Sequence, residues 1–261
     1  MADAFYQPDG DRFVSTEWTR GPWGPDSQHA GPPSALLARA IERLDPDSGM
    51  RLSRFTAEIL RPVPVTPVRV EARLVRPGRR VQYAEAVLSN DDGEIMRAAA
   101  WRIRTLDAGG SVPAVDGPPL PFALPEESPE PELPAFYEGP SYFTAMDWRF
   151  AGGRFFEPGP AAAWMRMRIP LVEGEAPSPA GRVLAAADSG NGISMVLPID
   201  RFVFINVDLS VHLVRLPADE WVCLDAESRI DAAGVGLAES RLWDRHALLG
   251  RGNQSLLVAP R

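Results

Sequence analysis

Residues 81–90 read VQYAEAVLSN, and residues 235–244 read VGLAESRLWD. Shifting the first segment by 154 positions places identical residues on one another at 81 and 235, 84 and 238, 85 and 239, and 88 and 242. The same shift places Arg61 on Arg215. Because no gap is needed, these matches indicate an internal repeat, with one copy in each half of the chain.

Four alternating or apolar runs end each copy. In the first half they cover residues 52–61, 67–75, 81–89 and 95–104, and in the second half residues 202–215, 220–230, 235–244 and 253–259. A short hairpin precedes each set, formed by residues 5–6 with 13–19 and by residues 142–149 with 161–169. Pro, Asn, Asp and Gly cluster between the runs, which predicts two antiparallel meanders.

One helix is predicted before each meander. Residues 29–44, HAGPPSALLARAIERL, carry prolines in the first turn and apolar residues at helical spacing. The second predicted helix covers residues 183–197 and is less regular, because Gly190 and Gly192 each cost about 1 kcal/mol relative to Ala in a helix interior. Glycines there indicate a bent helix or a close approach of the backbone to another group.

A helix against a curved antiparallel sheet, present twice, predicts an α+β chain with two tandem hotdog units. We expect an N-terminal hotdog over residues 1–107 and a C-terminal hotdog over residues 141–261. Residues 108–140 between them are rich in proline and acidic residues, which favours an extended linker laid over the surface. Two unrelated α+β domains are the alternative interpretation.

Composition restricts the class of protein. The formal charge of −8 argues against a nucleic-acid surface and against adhesion to an anionic membrane. No stretch approaches the ~20 apolar residues of a membrane-spanning helix, and no signal peptide is recognisable, so we expect a cytoplasmic protein. The single cysteine, Cys223, lies in an apolar run and is predicted to be buried. The histidines lack the spacing of metal ligands, so neither a metal nor another cofactor is expected.

We also expect a homo-oligomer, most simply a homodimer. Two hotdog units pair within the chain, and the outer faces of their sheets are predicted to carry the apolar side chains of Val87, Trp101 and Trp243.

Three polar positions occur in the second copy only. Asp188 follows AAA in the second predicted helix, Asn206 lies in the segment INVDLS at 205–210, and Gln254 lies in the segment RGNQS at 251–255. The repeat places Ser, Leu and Ala at the corresponding positions 34, 52 and 100 of the first copy. Because a purely structural role does not explain this asymmetry, we interpret Asp188, Asn206 and Gln254 as candidate catalytic residues.

These segments, in this order, resemble the C-terminal hotdog of the acyl-CoA thioesterase II family. The resemblance implies a tandem double hotdog with a role in lipid metabolism, which hydrolyses acyl-CoA or another acyl thioester. In that family an Asp on the helix, a Thr or Ser on the next strand and a Gln on the last strand hold the attacking water. Asp188 and Gln254 match this pattern, whereas Asn206 stands where the family has Thr or Ser.

The residue types suit this chemistry. A carboxylate such as Asp188 accepts a proton from water, and amides such as those of Asn206 and Gln254 orient it. Backbone N–H groups near Ser189 and Gly190 are predicted to face the developing oxyanion on the substrate.

His29 opens the first helix, as in the His-Gly-Gly segment of many single-hotdog thioesterases, and we assign it to substrate binding. A hydratase is disfavoured, because the fifth residue after Asp188 is Ile193 rather than His. A non-catalytic hotdog protein that binds acyl-CoA or an acyl carrier is the remaining alternative.

Overall fold

The computed structural model describes residues 3–106, 112–115, 117–132 and 139–261. The strands in these residues are β1 Tyr6–Asp9, β2 Arg12–Ser15, β3 Met50–Ile59, β4 Pro67–Arg76, β5 Val81–Asn90, β6 Gly93–Arg104, β7 Met146–Gly152, β8 Ala161–Met167, β9 Phe202–Asn206, β10 Asp208–Leu213, β11 Val222–Ile230, β12 Val235–Trp243 and β13 Leu248–Pro260. The α-helices are α1 Gly31–Glu42, α2 Pro179–Ala187 and α3 Gly190–Ile193, and 3-10 turns lie at Glu17–Thr19 and Pro46–Ser48.

All of these strands belong to one antiparallel sheet. Its order is β1-β2-β4-β5-β6-β3-β10-β13-β12-β11-β8-β7, and β9 also pairs with β13. The order of the second half is the mirror of the first, so the two meanders join side by side along β3 and β10. Joining these strands removes an exposed edge from each unit. The predicted double hotdog is therefore confirmed.

The 154-residue repeat extends to the strand register. Ala84 of β5 faces Ala100 of β6, and the equivalent positions Ala238 and Gln254 face each other in β12 and β13. Positions 73 and 85 pair in the first copy as 227 and 239 do in the second. The copies are thus equivalent in register where β5 pairs with β6 and where β12 pairs with β13.

The junction between the copies has approximate twofold symmetry. Thr56 of β3 faces Ser210 of β10, and their hydroxyl oxygens are 3.2 Å apart. These two residues are themselves 154 positions apart. A local twofold axis therefore passes between them, which explains why the strand order is mirrored on either side.

The second helix differs from its prediction of residues 183–197. It begins earlier, because Ser178 caps it by accepting a hydrogen bond from Gly181 N (2.9 Å) and Pro179 occupies the first turn. It ends at Ala187, and Asp188 is its C-terminal cap residue. The short helix α3 follows, so the predicted bend is real. The first helix is also shorter than the predicted residues 29–44, since α1 covers Gly31–Glu42.

A bulge interrupts the strand predicted at residues 202–215. It separates β9 from β10 at Val207, where pairing with β13 shifts by one residue. The first copy has a corresponding irregularity in β3, between Leu52 and Arg54. A bulge redirects the neighbouring side chains. In the second copy this affects Asn206, the last residue of β9.

The linker buries one side chain that was predicted to lie exposed on the outer sheet face. Trp243 is fully buried, because the described part of the linker covers it: the Phe122 ring lies 5.9 Å from the rings of both Trp164 and Trp243. Cys223 is buried in the same cluster, as predicted, and burial raises the pKa of its thiol. Val87 and Trp101 are partly exposed on the uncovered part of the outer face.

The homo-oligomer and the limits of the two units stay predictions. Part of the predicted linker, residues 108–111, 116 and 133–138, lies outside the described residues.

No helix in the described ranges is long and apolar enough to cross a membrane. His212 on β10 is exposed.

Candidate active site

A cavity of ≈ 540 Å³ lies between the two halves of the chain. Its walls come from both copies: His29 and Ile59 belong to the first, whereas Asp188 and Asn206 belong to the second. Most of the remaining lining is apolar, and it includes the aromatic side chains of Trp23, Phe143, Trp148, Phe155, Phe156 and Phe204. An apolar cleft with a few convergent polar groups is the usual form of a small-molecule site.

The close crossing of α1 and α2 brings the polar groups together. At Gly31, a Cβ atom would lie 2.3 Å from the carbonyl oxygen of Ala185, so only glycine fits there. This approach places the N-terminus of α1 beside the C-terminus of α2. The positive end of the α1 dipole therefore lies near the end of α2 that carries Asp188, which offsets the unfavourable position of an anion at the C-terminus of α2.

Asp188 is the centre of the polar group. It is 4 % exposed, and its Oδ1 accepts hydrogen bonds from Asn206 Nδ2 (2.8 Å) and Gln254 Nε2 (3.2 Å). Its Oδ2 lies 3.0 Å from His29 Nδ1. The structure thus brings together the three residues of the predicted catalytic set, and His29 joins them.

Gln254 lies behind Asp188 and does not line the cavity. Its Nε2 also donates to the backbone oxygen of Asp188 (3.0 Å), and its Oε1 accepts from Asn191 N (3.0 Å). The amide therefore ties the end of α2 and the start of α3 to strand β13. From this position Gln254 orients Asp188.

Replacing Gln254 with Ala, the residue at the equivalent position 100, is expected to lower both stability and turnover. The change leaves the partly buried N–H of Asn191 without its partner, which costs up to about 1–3 kcal/mol, and it frees Asp188 to rotate. Thermal unfolding measures the first effect and steady-state kinetics the second, and we expect turnover to fall by about 10-fold, within the range of lost positioning. An unchanged melting temperature together with unchanged kcat would contradict this role.

Ser189 and Gly190 are used differently from their predicted role at the oxyanion. Ser189 N donates to Ala186 O (2.9 Å), and its hydroxyl bonds to the Tyr142 hydroxyl (2.9 Å), although Ser189 does line the cavity. Gly190 packs against the sheet, where a Cβ would lie 2.7 Å from Ser240 Oγ. The close backbone approach predicted from this glycine is therefore toward strand β12, on the side away from the cavity.

His29 is held by an aromatic partner that the sequence did not reveal. Its ring stacks on Tyr142 with centroids 3.7 Å apart and planes at 6°, and the Tyr142 hydroxyl donates to Ala185 O (2.7 Å). Burial lowers the pKa of His29 below its ordinary value, although the Asp188 carboxylate opposes the shift. Burial also raises the pKa of Tyr142. Tyr142 precedes β7, and its sequence context carries no signal for this contact.

An aromatic wall forms one side of the cavity. Phe155 packs edge to face on Trp148 and Phe150, with centroids 4.9 and 4.8 Å apart. Its neighbour Phe156 has φ = +63°, a left-handed conformation that is strained for a side chain of this size. Such strain is concentrated at functional sites. The loop between β7 and β8 is therefore held in place to present aromatic rings to the cavity.

The comparison with protein families identifies the chain. A model of the acyl-CoA thioesterase N-terminal domain matches residues 19–103, and a model of the acyl-CoA thioesterase C-terminal domain matches residues 119–258. The chain therefore belongs to the acyl-CoA thioesterase family. No curated protein matches it.

Solved structures agree on the fold. A conserved protein of unknown function with a hot dog fold from Alicyclobacillus acidocaldarius is 17 % identical, with a TM-score of 0.74 over 97 % of this chain and 95 % of that one. The acyl-CoA thioesterase II TesB2 from Mycobacterium marinum is 16 % identical, with a TM-score of 0.69 over 98 % and 94 %. A TesB protein from Mycobacterium avium subs. paratuberculosis is 20 % identical, with a TM-score of 0.64 over 98 % and 96 %.

Proposed function

We propose that the cavity between the two copies is the active site and that a water held there by Asp188 and Asn206 hydrolyses the acyl thioester, with Gln254 orienting Asp188 from behind. The observation that carries this proposal is the buried carboxylate of Asp188, which accepts hydrogen bonds from both amides and opens on an apolar cavity. The asymmetry of the repeat supports it, because the equivalent positions 34, 52 and 100 carry no comparable group.

The chemistry follows from the charge at Asp188. A thioester carbonyl is electrophilic enough for water to attack it directly once a neighbouring base removes a proton. Asp188 supplies the negative charge for that step, either directly or through a group that it holds. Asn206 lines the cavity beside Asp188, and its side-chain oxygen accepts no hydrogen bond from the part of the chain that the structure describes. That oxygen is therefore suited to fix the second proton of the water.

The walls of the cavity suit the acyl group. The rings of Phe143, Trp148, Phe155 and Phe156 offer a continuous apolar surface, and burying an alkyl or aryl chain there contributes about 25 cal/mol per Å² of apolar surface. Ser189 and His29 lie on the same cavity and are placed to contact the thioester end.

A thiol-release assay over a ladder of acyl-CoA chain lengths tests the proposal. We expect turnover of at least one chain length and competitive inhibition by an acyl-CoA analogue with a non-hydrolysable thioether. Saturable binding of acyl-CoA without release of thiol would contradict hydrolysis and favour the non-catalytic binding protein. Cytoplasmic location stays a prediction.

Two substitutions of Asn206 distinguish the effect of its hydrogen bond from the effect of its side-chain volume. Replacing it with Leu, the residue at equivalent position 52 and similar in size, removes the hydrogen bond to Asp188, and we expect kcat to fall by about 10²-fold, in the range of a lost orienting group. Asn206→Thr restores a donor and the family pattern, so it is expected to keep kcat within about threefold, or ~0.7 kcal/mol. Equal rates for the Leu and Thr variants in the thiol-release assay would show that the donor is not needed.

A further inference from the structure

The contact between His29 and Asp188 defines the protonation of the imidazole. His29 Nδ1 lies 3.0 Å from Asp188 Oδ2 and 3.1 Å from the backbone nitrogen of Gly31. In a neutral imidazole Nδ1 cannot bond to both neighbours, because it needs a proton to donate to the carboxylate and a lone pair to accept from the amide. The relative strength of the two hydrogen bonds therefore determines the tautomer.

The carboxylate contact is the stronger of the two. Hydrogen bonds to an ionised group are about twice as strong as neutral ones. An unprotonated Nδ1 would direct its lone pair at an anionic oxygen only 3.0 Å away in a buried site, where such repulsion is weakly screened. The competing loss is the neutral hydrogen bond that Nδ1 accepts from the buried Gly31 N–H, which is the weaker of the two because neither partner is charged. Nδ1 therefore carries the proton and donates it to Asp188.

This tautomer leaves Nε2 unprotonated, on a residue that lines the cavity. His29 lines the cavity, and its Nε2 receives no hydrogen bond from the described residues. Stacking on Tyr142 fixes the plane of the ring, and hence the direction of Nε2. By contrast, Asp188 accepts hydrogen bonds from Asn206 and Gln254, and in this tautomer also from His29, whose Nδ1 lies 3.0 Å away. About one of the roughly four acceptor positions of a carboxylate is left for water.

We propose that His29 is the general base of this thioesterase and that Asp188 acts through it as the positioning carboxylate. The proposal rests on the function proposed above. His29 Nε2 removes a proton from water as the water oxygen forms a bond to the thioester carbonyl carbon. The C–S bond then breaks, the electron pair leaves on sulfur, and the proton on Nε2 passes to that thiolate. The products are a carboxylic acid and a thiol, and His29 returns to its neutral form.

The electrostatic surroundings keep the imidazole neutral at physiological pH. The titratable groups that face it are Asp188 at the end of α2 and the stacked Tyr142, and Arg61 lies elsewhere on the cavity wall. Burial lowers the pKa of His29 and outweighs the Asp188 carboxylate, which raises it. A base works only when unprotonated, so kcat/KM is expected to be high above this pKa and to fall as the pH drops through it.

Kinetics of His29→Gln provide the first test. The Gln amide preserves a hydrogen-bond donor toward Asp188 but supplies no base, so kcat is expected to fall by about 10²–10⁴-fold, and the acidic limb of the kcat/KM profile is expected to vanish. His246→Gln is the matched control, since His246 is exposed and lies outside the cavity. If His29→Gln keeps the wild-type kcat and pH profile, His29 is not the base. A wild-type chain that hydrolyses no acyl-CoA would instead overturn the proposed function as a whole.

The tautomer itself is measurable without turnover. Long-range ¹H–¹⁵N spectra of the histidine rings at neutral pH are expected to show His29 protonated at Nδ1 and free at Nε2. In Asp188→Asn the proton is expected to move to Nε2, because the carboxamide can donate to Nδ1. The spectrum of His29→Gln assigns the signal by its loss. A wild-type His29 protonated at Nε2, with Nδ1 accepting from Gly31, would overturn this proposal and leave hydrolysis at the site unaffected.

Discussion

Asp188→Asn is expected to lower kcat for acyl-CoA hydrolysis by about 10²-fold or more, the range for loss of acid–base catalysis. The substitution keeps the size of the side chain and removes its charge. The carboxamide oxygen can still accept from Asn206 and Gln254, but its NH₂ group then faces His29 Nδ1. The imidazole must accept that hydrogen bond, so its proton moves to Nε2. The base is then lost although the geometry is preserved.

This variant needs a control for charge and one for folding. Asp225→Asn removes a carboxylate from strand β11, outside the cavity, where its nearest cation is Arg241 at 4.0 Å. We expect it to keep wild-type turnover. The near-UV circular dichroism of Asp188→Asn should match that of the wild type, because its hydrogen bonds to both amides persist. Wild-type turnover by a folded Asp188→Asn protein would contradict the assignment of this cavity as the active site.

Gly31→Ala is expected to lower turnover by about 10²-fold and also to destabilise the protein. Its Cβ would lie 2.3 Å from Ala185 O and 3.1 Å from His29 Nδ1, so α1 must move away from α2. Overpacking of this kind costs about 1–3 kcal/mol. A displacement of about 1 Å between catalytic groups costs about 10²-fold in rate. The same change separates His29 from Asp188, and kcat should fall more than KM rises.

The direction of the change in melting temperature shows whether the added Cβ of Gly31→Ala clashes with its neighbours. Gly31 is not in the left-handed conformation, so Ala adds no backbone strain there, and a lower melting temperature would come from the contacts of its Cβ with Ala185 O and His29 Nδ1. Gly152→Ala is the control, because an added Cβ there meets its nearest atoms at 3.9 Å, an ordinary contact. If Gly31→Ala melts at or above the wild-type temperature with unchanged kcat, the two helices are not held at this distance in solution.

The sequence alone determined the tandem fold and the alignment of the two copies. Alternation of side chains and the placement of turn residues are local properties, so they remain legible in a single chain. The repeat then aligned Val81 with Val235, and both open the corresponding strands β5 and β12. The same comparison identified Asp188 and Gln254, because the first copy has Ser34 and Ala100 there.

The sequence was less informative where contacts between segments distant in the chain determine the local conformation. The strand predicted through residues 202–215 breaks at Val207, because a bulge is a property of the pairing with β13. The alternation of side chains along β12 places Trp243 on the outer face of the sheet. It is nevertheless buried, because the described part of the linker lies over it. Gly190 faces the sheet for a related reason: the turn between α2 and α3 is set by the bonds that Gln254 makes across from β13.

Only the tertiary structure decided the chemistry of His29. In sequence it opens a helix in the first copy, far from Asp188 in the second, and no periodicity connects them. Their atoms meet because α1 and α2 cross at a distance that Gly31 permits against Ala185. The tautomer of the imidazole, and with it the availability of a base, depends on which hydrogen-bond acceptor stands 3.0 Å away. That depends on how two helices pack, which local sequence patterns do not encode.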